Sequence, residues 1–333
     1  MEYRAFRNTD PPAFIALWNQ CFLGRGAYTI PSAAYVERSI FSKSYFDRKG
    51  LILAVENGQL VGFVHAGFGP NAAANGIDTK QGVVCAIAVR PTHRRRGIGA
   101  ALLDHAQSYL TTKGAEVIRA GGTPPWTPFY FGLYGGSDLP GFLESDSQAG
   151  PFFLKHGYQP AVNRHIYQRS LTQPIMVADP RMMDLRKRYD IAVQPRSGLD
   201  TWWQENVVGL VEPVEFRLID KATKAPAARA VLWEMDGFSL RWRTPSAGLL
   251  SLLVAENVRR KGVAKFFLGH LLRHLQEQCF GLCECQIDAS DVAAAGLISS
   301  IGFTKVDAGT GYVRSSDVES ASVIDLSTAA QAG

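Results

Sequence analysis

Apolar and polar positions along the first 160 residues change period repeatedly, and each change marks an element. Residues 3–6 read as a short strand. Asp10 followed by Pro11 and Pro12 marks a helix start, because proline fits the first helical turn. Phe14, Ile15, Leu17 and Trp18 then recur at helical spacing. A second helix is expected from Pro31. Residues 51–55 and 60–65 are β-rich runs split by Asn57-Gly58, a strong hairpin signal. Residues 83–89 are wholly apolar and predict a buried strand. Directly after it, Ile98, Leu102, Leu103, Ala106 and Leu110 give residues 97–110 the period of an amphipathic helix. Another strand is expected at 116–119.

The second half repeats the central piece. Residues 249–254 read as an apolar strand, 263–275 as an amphipathic helix and 283–287 as the next strand. The two strand-to-helix junctions carry one basic-glycine pattern, Arg94-Arg95-Arg96-Gly97-Ile98-Gly99-Ala100 and Arg259-Arg260-Lys261-Gly262-Val263-Ala264-Lys265. Downstream of each comes a short helix closed by glycine-aromatic, Gly157-Tyr158 and Gly302-Phe303. The copies align if the first carries an extra Gly/Pro-rich stretch at residues 121–146. The pattern predicts an α/β fold, a mixed sheet flanked by helices, built twice. The expected divisions are 1–170, a linker at 171–182, a second copy at 183–315 and a loosely ordered tail at 316–333.

A length of 333 residues agrees with two such units. An apolar fraction of 46% with 20% charged residues belongs to a folded globular chain. The formal net charge of +5 suits an anionic small ligand better than a nucleic acid, and no nucleic-acid partner is expected. Met1-Glu2-Tyr3-Arg4 is not an apolar leader and no run of eighteen apolar residues follows, so neither membrane association nor export is expected. Five cysteines without a secretory signal read as reduced thiols, and the expected compartment is the cytoplasm. His270, His274, Cys279, Cys283 and Cys285 cluster in sequence, but their spacing matches no tetrahedral frame, and no metal is expected.

The first junction carries the chemistry. Free N–H groups at a helix start, with the helix dipole, form an anion site. Gly97 and Gly99 lack side chains, so a pyrophosphate can approach the backbone. Arg94, Arg95 and Arg96 supply charge for further phosphates. The spacing R-x-x-G-x-G is neither a phosphate loop nor a dinucleotide fingerprint.

Residues 87–103, from Ile87, Ala88 and Val89 through the glycines to Leu103, resemble the acyl-CoA-binding motif of the GNAT acyltransferase superfamily. Residues 152–158 resemble that family's next motif, and Asn57-Gly58 stands where the family has a hairpin. The resemblance covers most of 1–170 and, more weakly, 183–315. It implies two tandem GNAT-like domains and a sheet that splays beside the strand ending at Val89. It also implies acetyl-CoA as co-substrate, its pantetheine arm on the backbone of Ile87 to Val89 and its pyrophosphate over Arg95 to Ala100, Ile98 and Gly99 included, with Arg94 a further cofactor contact. The acceptor would be a small-molecule or peptide amine. The amine attacks the thioester directly, which requires a base and an acid for the leaving thiolate.

The sequence departs from the family at the acid. The position of the usual tyrosine is Phe153 in one copy and Ile298 in the other, neither of which can donate a proton. Asp146 and Asp291 recur seven residues earlier, as helix caps or as catalytic carboxylates. Residues 121–146 hold Trp126, Phe129, Tyr130, Phe131 and Tyr134, either a lid over the thioester or a packed interface. Tyr134 is the expected donor there, with Asp146 as the second catalytic candidate. The alternative is a non-catalytic acyl-CoA-binding or scaffold protein. The Gly99-to-Ala264 difference predicts that the second copy binds CoA more weakly or stays empty.

Overall fold

The computed structural model describes residues 1–177, 179–195, 199–209 and 211–317. The first half contains strands β1 (Glu2–Ala5), β2 (Leu51–Glu56), β3 (Gln59–Pro70), β4 (Ile77–Val89), β5 (Val117–Ala120), β6 (Phe142–Leu143) and β7 (Tyr158–Ser170). Its helices are α1 (Pro11–Cys21), α2 (Ala33–Val36), α3 (Ile98–Thr112) and α4 (Ala149–Lys155). The second half supplies β8 (Tyr189–Pro195), β9 (Val214–Asp220), β10 (Pro226–Glu234), β11 (Ser246–Val254), β12 (Leu282–Asp288) and β13 (Thr304–Arg314). Around them lie α5 (Met182–Arg188), α6 (Trp202–Val208), α7 (Asp236–Trp242), α8 (Val263–Glu277) and α9 (Val292–Ser299).

All these strands join one mixed sheet in the order β1-β2-β3-β4-β5-β13-β7-β12-β11-β10-β9-β8, with β6 beside β13. The order shows an exchange. β7 follows α4 of the first half yet pairs antiparallel with β12, Arg164 to Ser170 against Asp288 to Leu282. β13 closes the second half yet pairs with β5, Tyr312 opposite Ala120 and Val313 opposite Arg119. The two exchanged strands lie against each other at the centre. Each half therefore completes the other's sheet. Asp317, just beyond β13, accepts the Ile118 N–H at 2.9 Å and an Arg314 ion pair at 2.9 Å. The rest of the tail expected at 316–333 lies outside the described residues.

Three apolar clusters hold the sheet. Leu102, Leu103, Ala106 and Leu110, the stripe read from the sequence, press α3 onto β2 to β5 together with Phe153, Tyr158 and Tyr312. Phe266, Phe267, Leu271 and Leu272 do the same for α8. The third cluster runs from Phe14, Trp18 and Phe63 through the aromatic stretch to Trp203, Trp233 and Phe238 of the second half. Phe129, Tyr130, Phe131 and Leu133 are all buried in it. The aromatic stretch thus seals the junction between the halves, and the Trp233 indole donates to the Ser137 carbonyl at 3.0 Å. Among the described residues no helix is long and apolar enough to cross a membrane.

Candidate active site

The site begins where two strands part. β4 pairs in parallel with β5 from Gln81–Val117 to Val84–Ala120, and the pairing stops there. Gly121, at φ +81°, turns the chain away after its N–H reaches the Val84 carbonyl. From Cys85 to Val89, β4 keeps β3 on one side and, among the described residues, has no strand on the other. The Arg90 N–H bonds to the Val61 carbonyl of β3, so strand alternation points the N–H and C=O of Ile87 and Val89 into the gap. The backbone of Ala88 faces the opposite way, toward β3. The β11–β12 pair parts in the same manner after Leu249 and Cys285.

Beyond the gap, Gly97 adopts φ +80° as the N-cap of α3, with Arg95 at φ +64° before it. The left-handed cap aims the first N–H groups of α3, on Ile98, Gly99 and Ala100, outward without intrahelical partners. A side-chain carbon placed on Gly97 would meet nothing within 4 Å among the described residues, so the cradle is open. The three arginines divide their tasks. Arg94 Nε donates to the Val89 carbonyl at 3.0 Å, closing the end of the gap. Arg96 pairs with Glu56 at 2.7 Å and holds its carboxyl below the usual range. Arg95 is exposed and has no polar partner among the described residues.

The second junction repeats this backbone closely. Arg259 Nε reaches the Val254 carbonyl at 2.9 Å, Arg260 has φ +63° and Gly262 has φ +81°. Its cradle differs from the first because the Arg181 guanidinium carbon lies 3.1 Å from where a side chain on Gly262 would start.

A cavity of about 370 Å³ opens beside the first gap. Its walls are residues 20–24, 26 and 27, at and after the end of α1, and residues 143 and 145–148, which lead into α4, with Pro91, Arg94 and Tyr134 completing it. Tyr134 is buried, packs edge-on against Phe22 at 5.9 Å, and its oxygen accepts the Leu143 N–H at 3.0 Å. Burial raises its pKa, with Asp146 and Asp307 adding to the rise, so the phenol keeps its proton at neutral pH. Asp146 lines the same cavity, exposed, its Oδ1 accepting the Gln148 N–H at 3.3 Å. Asp291 in the second half caps α9 through the Ala294 N–H at 2.8 Å.

The other tyrosine considered from the sequence lies elsewhere. The Tyr130 hydroxyl sits 2.9 Å from His65 Nδ1, inside the core and stacked on Trp18. Phe153 is fully buried between Phe142 and Tyr312, and Ile298 is buried in the second half's core. The structure therefore brings Arg94, Tyr134 and Asp146 to one cavity. Cys21 completes it and was not anticipated; the Gly24-Arg25-Gly26 turn between two helices was the available signal. Burial pushes the Cys21 thiol up to about 11, against the opposing pull of Arg94 and Arg90. Among the described residues no group of three or more His, Cys, Asp or Glu is placed to hold a metal ion.

The profile of the acetyltransferase (GNAT) family matches residues 6–130 and again 177–303. An acetyltransferase of Pectobacterium atrosepticum is 32% identical over 119 residues, which are 36% of this chain and 74% of that protein. Among solved structures, a GCN5-related N-acetyltransferase of Sphaerobacter thermophilus superposes with a TM-score of 0.61 at 16% identity, covering 94% of each chain. A tandem GNAT protein of the clavulanic acid biosynthesis pathway gives 0.61 at 14% identity, covering 94% of this chain and 97% of its own. The glucosamine N-acetyltransferase region of a fungal multi-domain β-N-acetylglucosaminidase gives 0.67 at 18% identity. There the match covers 94% of this chain but only 38% of the fungal one.

Proposed function

The chain belongs to the acetyltransferase (GNAT) family, and from that premise we propose that its first half transfers an acetyl group from acetyl-CoA to the amine of a small molecule. The observation that carries this reading is the open cradle at Gly97 beside an open β4 edge, with a cavity of about 370 Å³ at the end of the gap. A pocket of that volume suits a small amine more than a folded protein surface. We assign the units to residues 1–170 and 183–315, joined by 171–182, on the repeated junctions.

The residues present fit the co-substrate. Ile98, Gly99 and Ala100 would receive the pyrophosphate on their N–H groups and Arg95 would reach a further phosphate. Ile87 and Val89 would hold the pantetheine amides as a partner strand does. When bound, acetyl-CoA supplies an activated thioester carbonyl. Tyr134, neutral and with its oxygen already fixed by Leu143, has its hydrogen to give to a leaving thiolate. Asp146 would take the proton from the incoming ammonium, directly or through water. Cys21 stays a thiol near neutrality, which favours direct transfer over an acetylated cysteine.

Phe153 and Ile298 at the usual tyrosine positions favour a second reading, a non-catalytic acyl-CoA binder. One experiment separates the two. Calorimetry with acetyl-CoA tests binding, and thiol release against a panel of small amines tests turnover. Binding without release from any amine supports the second reading; no binding removes both.

A further inference from the structure

The walls of the cavity belong to the first half in sequence, yet several of the groups that fix them come from the second. Resting on the reading of this cavity as the acceptor pocket, we propose that Glu284 of β12 is a positioning residue for acceptor binding, clamping the pocket wall at Arg25 and the aromatic stretch at Ser137. Glu284 is fully buried. Its Oε2 lies 3.2 Å from Arg25 Nη2 and accepts Gln168 Nε2 at 2.7 Å, while Oε1 accepts the Ser137 N–H at 2.7 Å. One carboxylate thus ties together a wall loop, the stretch carrying Tyr134, and β7.

Three further residues act in the same direction. Asp307 of β13 accepts both Ser145 Oγ at 2.6 Å and the Ser145 N–H at 3.3 Å, on the opposite wall. It also forms an ion pair with Arg25, at 3.9 Å. The Trp242 indole at the end of α7 donates to the Arg25 carbonyl at 2.9 Å, and its ring lies 5.3 Å beneath the guanidinium. Arg241 donates to the Leu23 and Gly24 carbonyls. A loop of three residues has its carbonyls and its one charge held by the other half of the protein. A buried carboxylate is a costly way to fill space, and an apolar residue of like volume would often serve packing as well. What an apolar residue cannot do is hold a guanidinium and a backbone N–H at fixed positions. The second half then acts as part of the first half's active site without needing to bind CoA.

The test uses Cys21, which lines the cavity, as a reporter in the full chain, with exposed Cys279 replaced by serine. Glu284→Ala is expected to raise the rate of iodoacetamide modification of Cys21 about tenfold, the signature of local opening, while buried Cys283 and partly buried Cys85 keep their wild-type rates. Arg25→Ala should give a similar rise, and the double variant less than the two rises combined, because both remove the shared Glu284–Arg25 contact. Glu284→Gln, which keeps an acceptor for Ser137 but loses the charge, should fall between. In turnover, KM for the amine should rise about tenfold with acetyl-CoA affinity unchanged and kcat less affected, the mark of lost acceptor binding. If Glu284→Ala also exposes Cys85 and Cys283, the fold has failed and Arg25→Ala decides. Wild-type Cys21 reactivity in folded Arg25→Ala and Glu284→Gln would overturn the proposal. Failure of wild type to bind acetyl-CoA would instead remove the functional reading, and the labelling would still decide whether Glu284 holds the wall.

Discussion

The Arg181 guanidinium covers Gly262, its carbon 3.1 Å from the missing side-chain position and its Nη1 donating to the Arg260 carbonyl at 3.4 Å. Asp179 holds it there through Nη2 at 2.6 Å and Nε at 2.8 Å. The equivalent space at Gly97 is open, so the two junctions share a backbone but not an access. The chain should bind a single equivalent of acetyl-CoA, at the first junction. Valine is a poor probe there because a β-branched residue is strained at φ +80°, whereas aspartate tolerates that region and suits an N-cap. Gly97→Asp would place a carboxylate where the pyrophosphate belongs and should cut affinity at least about tenfold by like-charge repulsion, with little change in melting temperature. Calorimetry showing a full equivalent still bound to a folded Gly97→Asp would move the site to the other junction.

The strand exchange has a direct consequence for dissection. A fragment ending at residue 172 lacks β13, so β5 loses Tyr312 and Val313 and the Ile118 N–H loses Asp317. It also leaves β7 without β12 or β13, a thirteen-residue strand with both edges bare. Such edges promote association. The fragment should be oligomeric or aggregated in size-exclusion chromatography, and mixing it during refolding with residues 173–333 should recover acetyl-CoA binding. A monomeric fragment with a cooperative melt would contradict the role assigned to β13.

His65 gives the protein an acid limit. Its Nδ1 meets the Tyr130 hydroxyl at 2.9 Å, its ring stacks on Phe129 at 4.2 Å, and among the described residues Nε2 is buried without a partner. The imidazolium would need an acceptor at both nitrogens, so burial lowers its pKa to about 3. Above the unfolded value of about 6.5 both states are neutral and stability is unaffected by this group. As pH falls below that, the unfolded chain takes up a proton that the native state refuses, and stability declines by up to about 1.4 kcal/mol per pH unit. The decline should level off near pH 3. Denaturant unfolding from pH 7 to 4 should show this slope in wild type and a shallower one in His65→Gln. Equal slopes would exclude His65 as its source.

What could be read from the sequence was local. The strand ending at Val89, the glycine that opens α3 and the stripe Leu102, Leu103, Ala106 and Leu110 follow from short-range period and turn chemistry, and the repeated junction followed from comparing two such stretches. The exchange of β7 and β13 was not legible, because pairing of Tyr158–Ser170 with Leu282–Asp288 depends on residues more than a hundred positions apart. The cavity divides in the same way. Arg94 and Tyr134 lay near recognisable signals, whereas the Glu284 and Asp307 clamps on Arg25 and Ser145 span the whole chain. Arg181 was equally hidden, since nothing in an arginine before a short helix says that it will settle on Gly262.

Tyr134 carries the mechanistic prediction. It lines the cavity at the end of the gap, and the Leu143 N–H on its oxygen leaves the phenolic hydrogen as the group it can offer. Burial raises its pKa, which keeps the proton in place at neutral pH and makes the phenol a weaker acid, so its transfer to the leaving sulfur has to accompany C–S cleavage. Tyr134→Phe removes that donor and also one acceptor for the Leu143 N–H. The structural loss should be about 1 kcal/mol, seen as a modest fall in melting temperature. The catalytic loss should be about two to four orders of magnitude in kcat if the phenol is the general acid, with acetyl-CoA affinity nearly unchanged because no phosphate or pantetheine contact is assigned to this ring. An acid role also predicts that the phenylalanine variant loses less with an acyl donor whose thiol leaves more easily, since a weakly basic thiolate needs less protonation. A variant that turns over normally with ordinary acetyl-CoA would reduce Tyr134 to a packing residue of the cavity wall, and a uniform loss with both donors would point to wall distortion instead of proton transfer.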